Sequence, residues 1–161
     1  MQAVILMGIQ ASGKTTFYRE RFFETHVRIS LDMLHTRHRE WLLVNCCLSA
    51  RQPFVIDNTN ARTIDRARYI GPAHLAGFRV IGYYFETELN AALARNSRRP
   101  GKQAIPVKGV IGMFKRLEAP THEEGFDELY SVRVDLVKRF VVAAYPPESG
   151  EGAAHEERAG S

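Results

Sequence analysis

The chain opens on an unbroken apolar run, Ala3-Val4-Ile5-Leu6-Met7, which predicts a strand buried on both faces. A glycine-bearing turn follows, then a helix from about Gly13 to Glu24. Val27-Arg28-Ile29-Ser30 predicts a second, short strand. Leu31 to about Arg51 predicts one long helix, with Leu34, Trp41, Leu42 and Leu48 as its core contacts. Pro53 ends that helix, and Phe54-Val55-Ile56 predicts a third strand with Asp57 at its carboxyl end. A helix from about Thr63 to Ala76 is closed by Gly77, and Phe78 to Phe85 reads as a strand rich in aromatic and β-branched residues. Glu86 to about Ser97 is helical in pattern, and Arg98-Arg99-Pro100-Gly101-Lys102 is a loop. Pro106 starts a helix through Leu117, with Met113, Phe114 and Leu117 on its core face, and Leu129–Val134 predicts a closing strand. Strands alternating with helices imply βαβ units and a mostly parallel sheet covered on both sides.

Composition adds limits rather than detail. A chain of 161 residues, 45% hydrophobic and 25% charged, is expected to form one domain with a substantial core. The boundary falls at 145. Residues 1–145 carry the folded pattern, whereas 146–161 lack apolar period, are rich in Gly, Ala, Pro and Glu, and are expected to be a disordered acidic tail. That tail holds four Glu and one Arg, so the overall +4 charge conceals +7 on the body, which suits an anionic partner. Cys46 and Cys47 are adjacent, lack metal-ligand spacing and suggest a reducing compartment and a buried thiol. With no membrane-length apolar stretch and no signal-peptide pattern, a cytoplasmic location is expected.

The turn after the first strand is where chemistry concentrates. Gly8-Ile9-Gln10-Ala11-Ser12-Gly13-Lys14-Thr15 fits Gly-x-x-x-x-Gly-Lys-Ser/Thr at every fixed position, between a strand and a helix. Backbone N–H groups of such a loop and the positive helix terminus converge on a polyphosphate, so Gly8, Gln10, Ala11, Ser12, Gly13, Lys14, Thr15 and Thr16 are the candidate nucleotide-binding residues. Lys14 is expected to reach the β and γ phosphates, and the Thr15 hydroxyl to ligate Mg²⁺. The fold class that follows is α/β: a P-loop NTPase-type three-layer sandwich. ATP or another nucleoside triphosphate with Mg²⁺ is the expected cofactor pair.

Three further groups lie at or beyond strand ends, the edge on which open α/β sheets bind ligands. Asp32 can orient an acceptor hydroxyl and take its proton, or it can cap the helix behind it. Asp57 ends an apolar strand as the Mg²⁺-holding acid of P-loop enzymes does. Asn58, Thr59 and Asn60 serve a turn or position an acceptor with equal plausibility. Arg95, Arg98 and Arg99 read equally as a cationic lid over the transferring phosphoryl group or as a solvated helix C-terminus.

Taken in order, these segments resemble the kinase domain of the polynucleotide 5′-hydroxyl kinases. The resemblance runs over roughly residues 3–134: GIQASGKTTF, ISLD, VIDNTNARTIDRARYIGPAHLAGFRV, LARNSRRPGKQAIP and FKRLEAPTHEEGFDEL. It implies transfer of the γ-phosphate of ATP to the 5′-hydroxyl of DNA or RNA. Asp32 would be the general base, Lys14 and Thr15 would hold ATP and Mg²⁺, Asp57 would be the active-site acid, and Arg95 and Arg99 would be the lid arginines. Nucleic-acid 5′ ends are then the implied substrate, with a separate phosphatase or ligase as a partner. Residues 30–32 read Ser-Leu-Asp where the family commonly has Asn-Arg-Asp, and His35 stands where the phage enzyme has arginine. Arg28 and Arg37 are the candidates to replace the missing basic contact. A small-molecule or nucleotide kinase of the same superfamily is the alternative, as is an ATP-binding regulatory module associated with RNA.

Overall fold

A computed structural model describes residues 1–146; the expected disordered tail lies outside the described residues except for Pro146. Six strands form one sheet: β1 (Gln2–Met7), β2 (Val27–Ile29), β3 (Phe54–Asp57), β4 (Arg79–Phe85), β5 (Glu128–Val134) and β6 (Phe140–Ala144). Their order is β2-β3-β1-β4-β5-β6, parallel throughout except for β6, which runs antiparallel to β5. The helices are α1 (Lys14–Arg21), α2 (Leu31–Leu34), α3 (Arg37–Ala50), α4 (Thr63–Leu75), α5 (Leu89–Ser97) and α6 (Val107–Arg116).

The apolar run at the start becomes the central strand because both its faces are covered. Ala3, Ile5 and Met7 pack with Val44 and Cys47 of α3 and Tyr69, Ile70 and Ala73 of α4. Val4 and Leu6 pack on the opposite face with Phe17, Tyr18 and Phe22 from α1 and the turn behind it. Period-two alternation along β1 thus feeds two separate cores, which produces the three layers. A smaller cluster of Ile9, Ala92 and Val110 joins α5 and α6 to the end of β1. Among the described residues no helix is long and apolar enough to cross a membrane.

Several expectations about elements need correction. The long helix from Leu31 is two helices, because His35 adopts a left-handed conformation (φ 65°) and Thr36 starts α3 afresh, its hydroxyl accepting from Arg39 N–H at 3.2 Å. Trp41 and Leu42 are not core contacts: they are 41% and 56% exposed, and α3 turns Glu40, Val44 and Cys47 inward. Leu34 and Leu48 do pack against the core. Phe114 is exposed, while Met113 and Leu117 rest against the α5–α6 cluster. The first helix ends at Arg21 and α5 begins at Leu89 rather than Glu86. Cys47 is buried but Cys46 is exposed. Strand β6 had no expectation attached to it.

Candidate active site

The phosphate loop joins the end of β1 to α1. Glycine is required at Gly8, where a Cβ would lie 2.9 Å from the Phe85 Cβ and 3.0 Å from the Ser12 Oγ. It is required at Gly13 by a left-handed backbone (φ 97°), with the Phe140 ring 3.1 Å from where a Cβ would stand. Gly8 N–H donates to Thr59 O at 3.0 Å, tying this loop to the one that leaves β3. The hydrogen bond from Phe17 N–H to Gly13 O (2.9 Å) is the first of α1, so the helix makes no use of the N–H groups ahead of it.

Lys14 folds back across this loop. Its Nζ donates to Gly8 O and Ile9 O, both at 2.8 Å, and to Ser12 Oγ at 3.4 Å. Burial lowers its pKa to about 8; Arg99 pushes the same way, and Asp57 and Asp32 oppose both. The ammonium is thus held without a direct carboxylate partner, and an incoming polyanion would relieve its desolvation. The Gln10 Oε1 is buried on the same cleft and has no hydrogen-bond partner among the described residues.

Thr15 and Asp57 lie side by side in the cleft. The Thr15 hydroxyl donates to Asp57 Oδ2 at 3.0 Å, and the Asp57 side chain is almost fully buried. A hydroxyl and a carboxylate of this kind, beside a polyphosphate cradle, fit Mg²⁺, which takes hard oxygen ligands and draws most of them from phosphate and water. No cluster of three or more His, Cys, Asp or Glu side chains suited to a metal occurs among the described residues, so the phosphates would have to supply the rest. Arg28 was foreseen only as an acceptor-side substitute. Its Nε instead donates to Asp57 Oδ2 at 2.7 Å, and its Nη2 to Thr15 Oγ1 at 3.3 Å.

Asp32, in α2, is exposed and lines the same cleft as Lys14, Thr15 and Asp57. This cleft holds about 250 Å³ and also takes in Arg99 and Asn58. Asp32 is positioned from behind. Asn58 Oδ1 accepts from Leu31 N–H at 2.8 Å, and its amide donates to Glu40 Oε1 at 2.6 Å. Glu40 also accepts from Tyr69 OH (2.9 Å) and Arg37 Nη1 (2.8 Å). Arg37 is therefore committed to this network. Asn60 is structural as well: its left-handed backbone (φ 48°) is locked by its amide donating to Leu6 O at 2.7 Å. Arg66, fully buried, pairs with Glu124 at 2.6 and 2.7 Å and donates to Asn60 O, Ala61 O and Glu118 O.

The arginines after α5 separate. Arg95 Nη1 donates to Ala11 O at 3.1 Å and so braces the phosphate loop, while Arg99 lines the cleft; Arg98 is exposed. Asn96 pins this segment by a reciprocal pair with the backbone of Ile105, at 2.6 and 3.0 Å. Of the predicted phosphate-loop residues, Gln10 through Thr16 all line the cleft, and Gly8 is buried outside its lining. Glu40 stands outside every sequence motif, and Asn96 and Arg66 lie in the LARNSRRPGKQAIP and RARY segments with no role legible from the chain; their contacts to Tyr69, Ile105 and Glu124 come from the fold.

A family model described as an AAA domain matches residues 4–120. The chain shares its fold with a gluconokinase from Sinorhizobium meliloti, at 18% identity over 83% of this chain and 82% of that one, with a TM-score of 0.58. It is similar to Kti12 of Chaetomium thermophilum in complex with ADP-AlF3, at 18% identity over 84% and 92%, with a TM-score of 0.58. A sugar kinase from Janibacter is similar at 19% identity over 83% and 85%, with a TM-score of 0.57.

Proposed function

The chain belongs to the AAA-domain family whose model spans residues 4–120, and from that membership we propose that it is an ATP-dependent phosphotransferase acting on a hydroxyl of a small molecule or nucleotide. One observation carries the reading. An exposed carboxylate, Asp32, shares a single cleft with Lys14, Thr15 and Asp57, so a polyphosphate and an alcohol have adjoining places. The P-loop kinase-like fold, common to a gluconokinase and a sugar kinase, supports it at the level of architecture.

In this reading the phosphate loop and Lys14 bind and orient the triphosphate of ATP, with Arg95 holding the loop in shape. Thr15 and Asp57 would hold Mg²⁺, which supplies charge neutralisation on the phosphate oxygens. The acceptor oxygen forms its bond to the γ-phosphorus as the bond to the β–γ bridging oxygen breaks. Asp32 takes the hydroxyl proton, and ADP departs. Arg99 stabilises charge spread over the transferring group.

A second reading, transfer to the 5′-hydroxyl of DNA or RNA, is favoured by the ordered set of IDNTN, RARY and EGFDEL segments and by the basic body. A separate phosphatase or ligase partner belongs to that reading. One assay tests both. γ-Labelled ATP is offered with a hexose, a mononucleotide, a 5′-hydroxyl oligonucleotide, and water alone. Label on the hexose or mononucleotide supports the first reading, and label on the oligonucleotide supports the second. Release of phosphate alone, with every acceptor unlabelled, overturns both.

A further inference from the structure

We propose that the transfer cleft opens into an acceptor track in which Arg116 binds an anionic phosphate ester and the Trp41 indole, beside Arg68, stacks on a nucleobase. The inference rests on the phosphotransferase reading above and narrows its acceptor to the nucleotide class. Three cavities lie in series through shared lining residues. The transfer cleft shares Leu31, Asn58 and Thr59 with a second cavity of about 310 Å³, whose lining includes Arg37, Arg62 and Arg116. That cavity shares Arg37 with a third, of about 430 Å³, walled by Trp41, Tyr69 and Arg68 over Glu40.

The charges along this path are unequal. Arg37 is neutralised by Glu40, and Arg62 faces Asp65 at 3.4 Å. Arg116 and Arg68 make no ion pair or side-chain hydrogen bond among the described residues, and both are exposed. The middle cavity thus presents a spare cation one step from the transfer site, and the outer cavity presents another beside an open indole. Trp41 is 41% exposed on a helix that turns Glu40, Val44 and Cys47 inward, so its ring offers an apolar face on the outer side of α3. A guanidinium rim selects an anion, and a bare indole selects a planar ring. A molecule that satisfies both, with a hydroxyl left over for transfer, is a nucleotide or a short strand of them.

Trp41 is the sole tryptophan of the chain, so its emission reports on the outer cavity directly. The full-length protein is titrated with hexathymidylate bearing a 5′-hydroxyl, with thymidine monophosphate, and with inorganic phosphate. Saturable quenching by at least one thymine-bearing probe, and none by inorganic phosphate, is expected. The double variant R68A/R116A should weaken that binding by about tenfold or more, while the affinity for a fluorescent ATP analogue changes less than about twofold. Quenching by hexathymidylate alone marks a strand-length acceptor, and equal quenching by the monophosphate marks a single nucleotide. Emission unmoved by either thymine probe, or quenched with the same affinity in the double variant, overturns the proposal. Quenching by a thymine probe, with every acceptor of the labelling assay left unlabelled, retains the track and removes the phosphotransferase reading. Transfer to a thymine-bearing acceptor with unchanged emission does the reverse.

Discussion

Asp32 reaches the cleft from a four-residue helix that has little packing of its own, and its usefulness depends on residues behind it. Substituting Asp32→Asn should lower kcat by about 10²–10⁴-fold, the range for loss of a general base, while a nucleotide-binding titration stays close to wild type. Lys14→Ala should fail in that titration itself. Asn58→Ala leaves the Leu31 N–H without its acceptor and the Glu40 carboxylate without one of its donors, so α2 should lose its fixed start. Steady-state kinetics should then show a fall in kcat with the KM for ATP little changed. These residues differ in how readable they were. Gly8 through Thr15 announce themselves because the loop is a local structure with fixed spacing. Asn58 and Glu40 lie 18 positions apart, and Tyr69 and Glu40 29 apart, so their meeting is a product of the fold and leaves no pattern in the chain.

Elements show the same division. The strands β1, β3 and β4 were legible because each has a continuous apolar run buried on both faces, with polar residues confined to the strand ends. Helix α3 was misread because its apolar positions are scattered around the axis; a buried glutamate held by Arg37 and Tyr69 replaces the leucine that a simple stripe would require. Strand β6 escaped because an antiparallel edge strand of five residues, half exposed, resembles any short apolar stretch. Packing between elements yields three expectations. Arg66→Met leaves the buried Glu124 carboxylate without its counter-ion and with the Thr121 N–H as its remaining donor, and chemical denaturation should record a loss of about 3–5 kcal/mol. Gly82→Ala in β4 forces a Cβ to within 2.9 Å of Leu129, Phe126 and Met7 side chains, which should cost about 1–3 kcal/mol in the same measurement. Asp127 accepts from Val80 N–H at 2.7 Å at the head of β4, and that bond, aided by His74, holds its pKa below the ordinary carboxylate value. Its contribution is present above the usual range and vanishes as pH falls through the lowered value. Thermal melts should therefore separate Asp127→Asn from wild type at neutral pH and bring the two together in acid.

At the scale of the whole molecule, excess positive charge should make the affinity for a polymeric anionic acceptor fall linearly in log–log form as salt rises, with a slope of about 0.7 for each strand phosphate neutralised. A mononucleotide acceptor should respond far more weakly, so a salt series of KM values tells the two apart. The fold class was legible from alternation and the glycine loop; the proposed acceptor track was not, because the residues that line it come from α2, α3, α4 and α6 together. The ring of Phe140 has one more implication. It lies against Phe17 and Phe85 and backs the spot where Gly13 has no side chain, so the phosphate loop leans on β6 from outside the cleft. A polypeptide halted at residue 134 would own every motif of the pocket and still lack its keystone. Such a truncated product should bind nucleotide poorly, and during synthesis competence would arrive only once the hairpin from β5 to β6 has closed.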